Sequence, residues 1–285
     1  MSGFAGLRVL ALESRRAAEL AKLISSYGGE PVVAPAMREV PLDSNIEALS
    51  FAEALLAGKF DMVIFLTGVG ARAVLSVAET KYSRDDFVSA LKRTKVVPRG
   101  PKPIAVLREL GVPAALTVPE PNTWRELLQS LDDAEPEFPL RGARVALQEY
   151  GVSNPELIAG LTERGAIVTR VPVYQWALPE RVAPLQSAIK ELASGKIGAV
   201  IFTTGIQAAH LFQVAAEMKL EDAVRQGLRR AIVASIGPTT SEELQRHGIR
   251  RDLEPSHPKM GFLVKETAEQ AAALLSKKRQ GTASG

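Results

Sequence analysis

Short, largely apolar runs alternate along the chain with longer stretches whose apolar positions recur every three or four residues. The runs at 7–12, 31–34, 62–66, 96–97, 144–148, 167–171, 200–203 and 232–235 are apolar on consecutive positions. Strands buried on both faces read this way. Between them, residues 16–27 carry Ala17, Leu20, Ala21 and Ile24 at helical spacing and end at Gly28-Gly29, a helix C-terminal signal. Asn154-Pro155 opens a second such stretch with a capping residue and a first-turn proline, its apolar positions are Leu157, Ile158 and Leu161, and Gly165 follows it. Strand and helix in alternation predict an α/β fold, with parallel sheets covered by helices on both faces.

The pattern repeats. Residues 8–12 (Arg-Val-Leu-Ala-Leu) resemble 144–148 (Arg-Val-Ala-Leu-Gln), and the same interval leads from each arginine to Gly29 and Gly165. Residues 62–68 resemble 199–205, and Gly100-Pro101 resembles Gly237-Pro238, both at an offset of 137. The chain therefore reads as two copies of one domain-sized unit, that is, two similar doubly wound parallel-sheet domains. Between the copies, residues 132–139 are acidic and proline-rich and read as a surface linker or loop. Residues 277–285 read as a frayed basic tail.

Composition narrows the chemistry. The 285 residues include no cysteine, which excludes disulfides, thiolate nucleophiles and Cys-based metal sites. Three histidines, His210, His247 and His257, are too far apart for a His-rich metal centre. His210 falls in a helix pattern and reads as structural, His247 precedes a helix-ending glycine, and His257 alone is kept as a possible ligand contact. The net charge of +3 suits an anionic small molecule better than extended nucleic acid. The N-terminal residues show no export pattern and no run is long enough to cross a membrane. A cytoplasmic protein is expected, with a small-molecule substrate, no nucleic-acid or membrane partner and no metal centre, acting as a monomer.

In open parallel sheets ligands bind beyond the carboxyl ends of the strands. The loops there are 13–16, 67–72, 99–102, 149–151, 203–205 and 237–240, rich in Thr, Gly, Arg and Lys. Glycine admits a ligand close to the backbone, and free amides at a helix start attract carboxylates and phosphates. The same residue types are also ordinary caps and turns. Gly68-Val69-Gly70 lacks the third glycine of the dinucleotide fingerprint, and neither a Walker A sequence nor a Gly-x-Ser-x-Gly elbow is present. Tyr174 breaks the repeat, since its counterpart at offset 137 is Met37. A phenol with reference pKa near ~10 can donate a proton to a leaving oxygen, or can simply be an interfacial aromatic with a wet tip.

The stretches 200–205 (Val-Ile-Phe-Thr-Thr-Gly), 234–240 (Ala-Ser-Ile-Gly-Pro-Thr-Thr), 258–264 and 171–174 (Val-Pro-Val-Tyr), in this order and spacing, resemble the uroporphyrinogen-III synthase family over about residues 7–275. The resemblance implies two similar domains joined by two extended linkers. The first would comprise residues 1–38 and 176–285, and the second, 41–172, would be inserted into it. It implies cyclisation of hydroxymethylbilane with inversion of the last pyrrole ring and loss of water, without a cofactor. Tyr174 matches the family's general-acid candidate. Thr203, Thr204, Gly205, Pro238 and Thr239 match substrate-lining motifs, and Thr67 and Gly68 occupy the equivalent loop of the second domain. Leu66 stands where the family often has Thr, and Glu13-Ser14-Arg15 replaces a commoner Thr-Arg-Pro, so Arg15 is the weaker transfer. Arg99 and Lys102 are basic candidates for substrate carboxylates. The alternative is a cytoplasmic two-domain anion-binding or regulatory sensor without catalysis.

Overall fold

The computed structural model describes residues 3–41, 45–149, 151 and 153–282. In chain order the elements are β1 (Arg8–Ala11), α1 (Ala17–Ser26), β2 (Glu30–Val33), β3 (Arg38–Pro41), α2 (Ile46–Leu56), β4 (Met62–Phe65), α3 (Gly68–Ala78), α4 (Arg84–Lys92), β5 (Lys95–Pro98), α5 (Pro101–Glu109) and α6 (Trp124–Asp133). They continue with β6 (Arg144–Gln148), α7 (Pro155–Glu163), β7 (Ile167–Val171), β8 (Tyr174–Ala177), α8 (Ala183–Ala193), β9 (Ala199–Phe202), α9 (Gly205–Glu217), α10 (Glu221–Arg230), β10 (Ile232–Ser235), α11 (Pro238–Arg246) and α12 (Met260–Thr282). The chain divides into two compact units, Met1–Arg38 with Ala177–Gly285, and Glu39–Trp176.

The first unit holds a parallel sheet in the order β10-β9-β1-β2, and the second a parallel sheet in the order β5-β4-β6-β7. The orders correspond strand for strand, and each sheet joins the leading strands of one repeat to the trailing strands of the other. Strands β3 and β8 form a separate two-stranded sheet.

Alternate residues of each sheet face opposite cores, as the two-residue period of a strand requires. In the first unit Leu10, Val200, Phe202 and Val233 pack with α8, α9 and α10 on one face. Val9, Ala11, Ala199, Ile201 and Ile232 pack with α1 and α12 on the other. In the second, Val63, Phe65, Val96 and Ala146 meet α2, α3 and α4, while Met62, Ile64, Val145 and Leu147 meet α6 and α7. This is a doubly wound α/β arrangement in both units.

Three expectations need correction. Strands β2 and β7 are not buried on both faces, because each is a sheet edge: Glu30 and Val33 are exposed, as are Ile167, Thr169 and Arg170. The acidic stretch 132–139 is the expected surface loop only from residue 134 onward. Asp132 and Asp133 end α6, Asp132 pairs with Arg164 at 2.6 Å, and Phe138 is buried in the core beside α6. The basic C-terminal stretch is helical as far as Thr282, and Lys278 Nζ lies 2.8 Å from Asp252, while residues 283–285 lie outside the described residues.

Candidate functional site

In the second unit the chain winds left from β4 to β5 and right from β6 to β7. The crossover direction therefore reverses between β4 and β6, and such a switch point opens a crevice at the carboxyl ends of the strands. Thr67 stands there as the N-cap of α3, and its Oγ1 accepts the Gly70 amide at 3.0 Å. The Thr67 amide in turn donates to Gln148 Oε1 at 3.2 Å, and Gln148, at the end of β6, is fully buried. The phenol oxygen of Tyr174 lies 3.3 Å from Thr67 Oγ1. Tyr174 is 6% exposed and its ring meets Trp176 edge-on at 5.4 Å.

Gly68 is required by close approach, since a Cβ there would stand 2.8 Å from the carbonyl oxygen of Lys102. Arg99, half-buried, is held beside the same loop by its amide bond to the Phe65 carbonyl at 2.9 Å. The Lys102 side chain is exposed. Tyr174, Thr67, Gly68, Arg99 and Lys102 are thus gathered at one end of the second unit's sheet. Leu66 faces the core and is buried. Glu149, which follows β6, is buried and forms a two-pronged pair with Arg170 at 2.8 and 3.0 Å, which raises the arginine's pKa further. Tyr150 lies outside the described residues.

The first unit has its switch point between β9 and β1. The Thr203 hydroxyl donates to Glu13 Oε2 at 2.6 Å and accepts the Gln207 side-chain amide at 2.9 Å, while the Thr203 amide donates to Gln207 Oε1 at 2.8 Å. Thr204 is the N-cap of α9, with no side-chain capping bond. Gly205 abuts α11, where a Cβ would lie 3.1 Å from Glu243 Cβ and 3.7 Å from the Thr239 carbonyl oxygen. Pro238 opens α11 after Gly237. Arg15 is exposed two residues beyond Glu13.

Sequence reasoning missed Glu13, Gln148 and Gln207 as partners in these networks. A signal existed for the first: Glu13 and Glu149 follow corresponding strands of the two copies. The histidines lie elsewhere. His210 is buried, bonds through Nδ1 to the Ala36 carbonyl at 2.7 Å, and burial lowers its pKa. His247 stacks on Phe212 at 4.5 Å, and His257 meets Phe262 at 4.8 Å. A cavity of about 540 Å³ between α2 and the edge strand β7 holds none of the expected site residues. Among the described residues no group of three or more His, Asp or Glu is placed to hold a metal, and no helix is long and apolar enough to cross a membrane.

A family model described as uroporphyrinogen-III synthase HemD matches residues 18–265. An uncharacterised Bacillus subtilis protein, YjjA, is 34% identical over 94% of this chain and 97% of its own length. A putative uroporphyrinogen-III synthase of Methanothermobacter thermautotrophicus is 30% identical over 82% of this chain and 87% of its own. The solved structure of a mutant uroporphyrinogen III synthase from Thermus thermophilus shares the fold, with a TM-score of 0.72 at 24% identity, covering 94% of this chain and 99% of that one.

Proposed function

The chain belongs to the uroporphyrinogen-III synthase family, and from that premise we propose that it cyclises hydroxymethylbilane to uroporphyrinogen III in tetrapyrrole biosynthesis, as a hydro-lyase. The observation that carries the reading is the buried Tyr174 phenol, 3.3 Å from the Thr67 hydroxyl at the switch point of the second unit.

Thr67 Oγ1 already accepts the Gly70 amide, so its own proton can be donated to the Tyr174 oxygen. The phenol proton is then directed to the substrate's terminal hydroxymethyl group. Protonation releases that hydroxyl as water and leaves a cationic azafulvenium. The last ring attacks it through its substituted carbon, and the spiro intermediate fragments and recloses with that ring inverted. Closing the macrocycle returns one proton, which restores the phenol. Unassisted closure gives the uninverted isomer, so the protein must also fix the bilane's conformation. In this reading Arg15, Arg99 and Lys102 pair with substrate carboxylates, and Thr204, Gly205, Pro238 and Thr239 line the substrate. Residues 41–172 act as one domain inserted into another made of 1–38 and 176–285, in a cytoplasmic enzyme that needs no cofactor.

The test is incubation with hydroxymethylbilane and separation of the isomers formed. The inverted isomer is expected. Binding without turnover would favour a sensor instead.

A further inference from the structure

The first unit's switch point carries a feature that a site for carboxylates would avoid. Glu13 is 9% exposed at the carboxyl end of β1. Its carboxylate accepts the Thr203 hydroxyl at 2.6 Å and the Arg16 amide at 3.3 Å. Among the described residues these neutral donors are its direct partners, and the Arg16 guanidinium is turned to Glu19 at 2.7 and 2.5 Å. Glu149, its counterpart in the other copy, is instead neutralised by Arg170. The single hydroxyl proton of Thr203 is spent on Glu13, and the Gln207 amide is turned inward onto Thr203. What the Glu13–Thr203–Gln207 cluster itself offers a ligand is acceptor oxygen carrying negative charge. The Arg16 charge reaches Glu13 only through space; a buried carboxylate with no directly bonded cation is costly unless hydrogen-bond donors surround it, and a ligand bringing further donors would complete its shell.

We propose that Glu13 is a substrate-binding residue that accepts hydrogen bonds from the ring N–H groups of a linear oligopyrrole. Glu13 would then meet the substrate's pyrrole face, while its carboxylates are left to the basic residues Arg15, Arg99 and Lys102. The inference rests on the function proposed above, and it assigns Thr203 to holding Glu13 in place of direct contact with a substrate carboxylate.

Two measurements test it. Steady-state kinetics with hydroxymethylbilane are compared for wild type, Glu13→Gln and Glu13→Asp, with melting curves to verify folding. Glutamine keeps an acceptor for Thr203 but loses the charge. Its kcat/KM should fall about ten- to hundredfold, the range for losing a charge-assisted hydrogen bond, and aspartate should retain more of the activity. An unchanged KM with undiminished kcat in Glu13→Gln would mean that the charge contributes nothing to binding, and a lower KM that it repels substrate; either overturns the proposal. Equal losses in both variants would assign the effect to shape and overturn it too.

The second measurement uses wild type alone and so does not depend on a variant folding. A dipyrromethane bearing carboxylates should bind at least about tenfold more tightly than its N-methylated analogue, while equal affinity refutes the role of Glu13. If wild type makes no inverted isomer, the function reading fails, and the N–H preference in direct binding still decides what Glu13 recognises.

Discussion

Replacing Thr67 by valine swaps a hydroxyl for a methyl of similar size at the point where the second unit's fold and its proposed chemistry meet. Two interactions go. The α3 N-cap bond to the Gly70 amide, 3.0 Å in length, is lost at about 1 kcal/mol. The contact between the hydroxyl and the Tyr174 phenol, 3.3 Å, is lost at about 1 kcal/mol net. Packing is nearly kept, so the sum is about 2 kcal/mol. For a unit of this size that lowers the melting temperature by about 4–8 °C. Differential scanning calorimetry of wild type, Thr67→Val and Thr67→Ser reads the effect. Serine keeps both oxygen roles and should recover most of the loss. Turnover of hydroxymethylbilane should follow the same order, because the phenol loses the group that orients it. A Thr67→Val protein melting within about 1 °C of wild type, or a serine variant as impaired as valine, would refute the reasoning.

Tyr174→Phe should lower kcat by about 10²-fold or more with KM nearly unchanged, the signature of a lost proton donor; an unchanged kcat removes the phenol from the mechanism. Burial holds the His210 pKa below its ordinary 6.5, so the unfolded chain binds the proton first and stability falls as pH drops below about 6.5. His210→Gln should flatten the change in melting temperature between about pH 7.5 and 5, and an unaltered slope would contradict this. Arg144 holds the Asp61 carboxyl down to about 2, against an ordinary 3.8. The stability this gives is present above about pH 4 and lost as pH falls toward about 2. Both side chains are nearly half exposed, so Asp61→Asn should cost less than about 1 kcal/mol in urea unfolding at neutral pH, and the difference should shrink below pH 4.

The central strands could be read from sequence because both their faces are buried. Met62–Phe65 and Ala199–Phe202 are apolar at every position for that reason. β3 and β8 could not be read so easily: Arg38-Glu39-Val40-Pro41 mixes charge with apolar residues and ends in proline, and Gln175 interrupts Tyr174 and Trp176. The edge strands β2 and β7 were found but misjudged, since β-branched residues also occupy half-exposed positions. The strand-end rule pointed to the candidate loops, and the repeat pointed to corresponding helix N-caps at Thr67 and Thr204. Periodicity carries no record of which side chains meet across the fold. Thr67 and Gln148 are 81 residues apart, and Glu13 and Thr203 are 190 apart. That is why the bond from the Thr203 hydroxyl to the buried Glu13 carboxylate could not be read in advance.

The most direct test of the account is the initial rate at which the inverted isomer forms from hydroxymethylbilane at several protein concentrations, with the two isomers separated chromatographically. The account predicts a rate of inverted product that rises in proportion to protein and collapses in Tyr174→Phe. Uninverted product alone, formed at the same rate with and without protein, would contradict it.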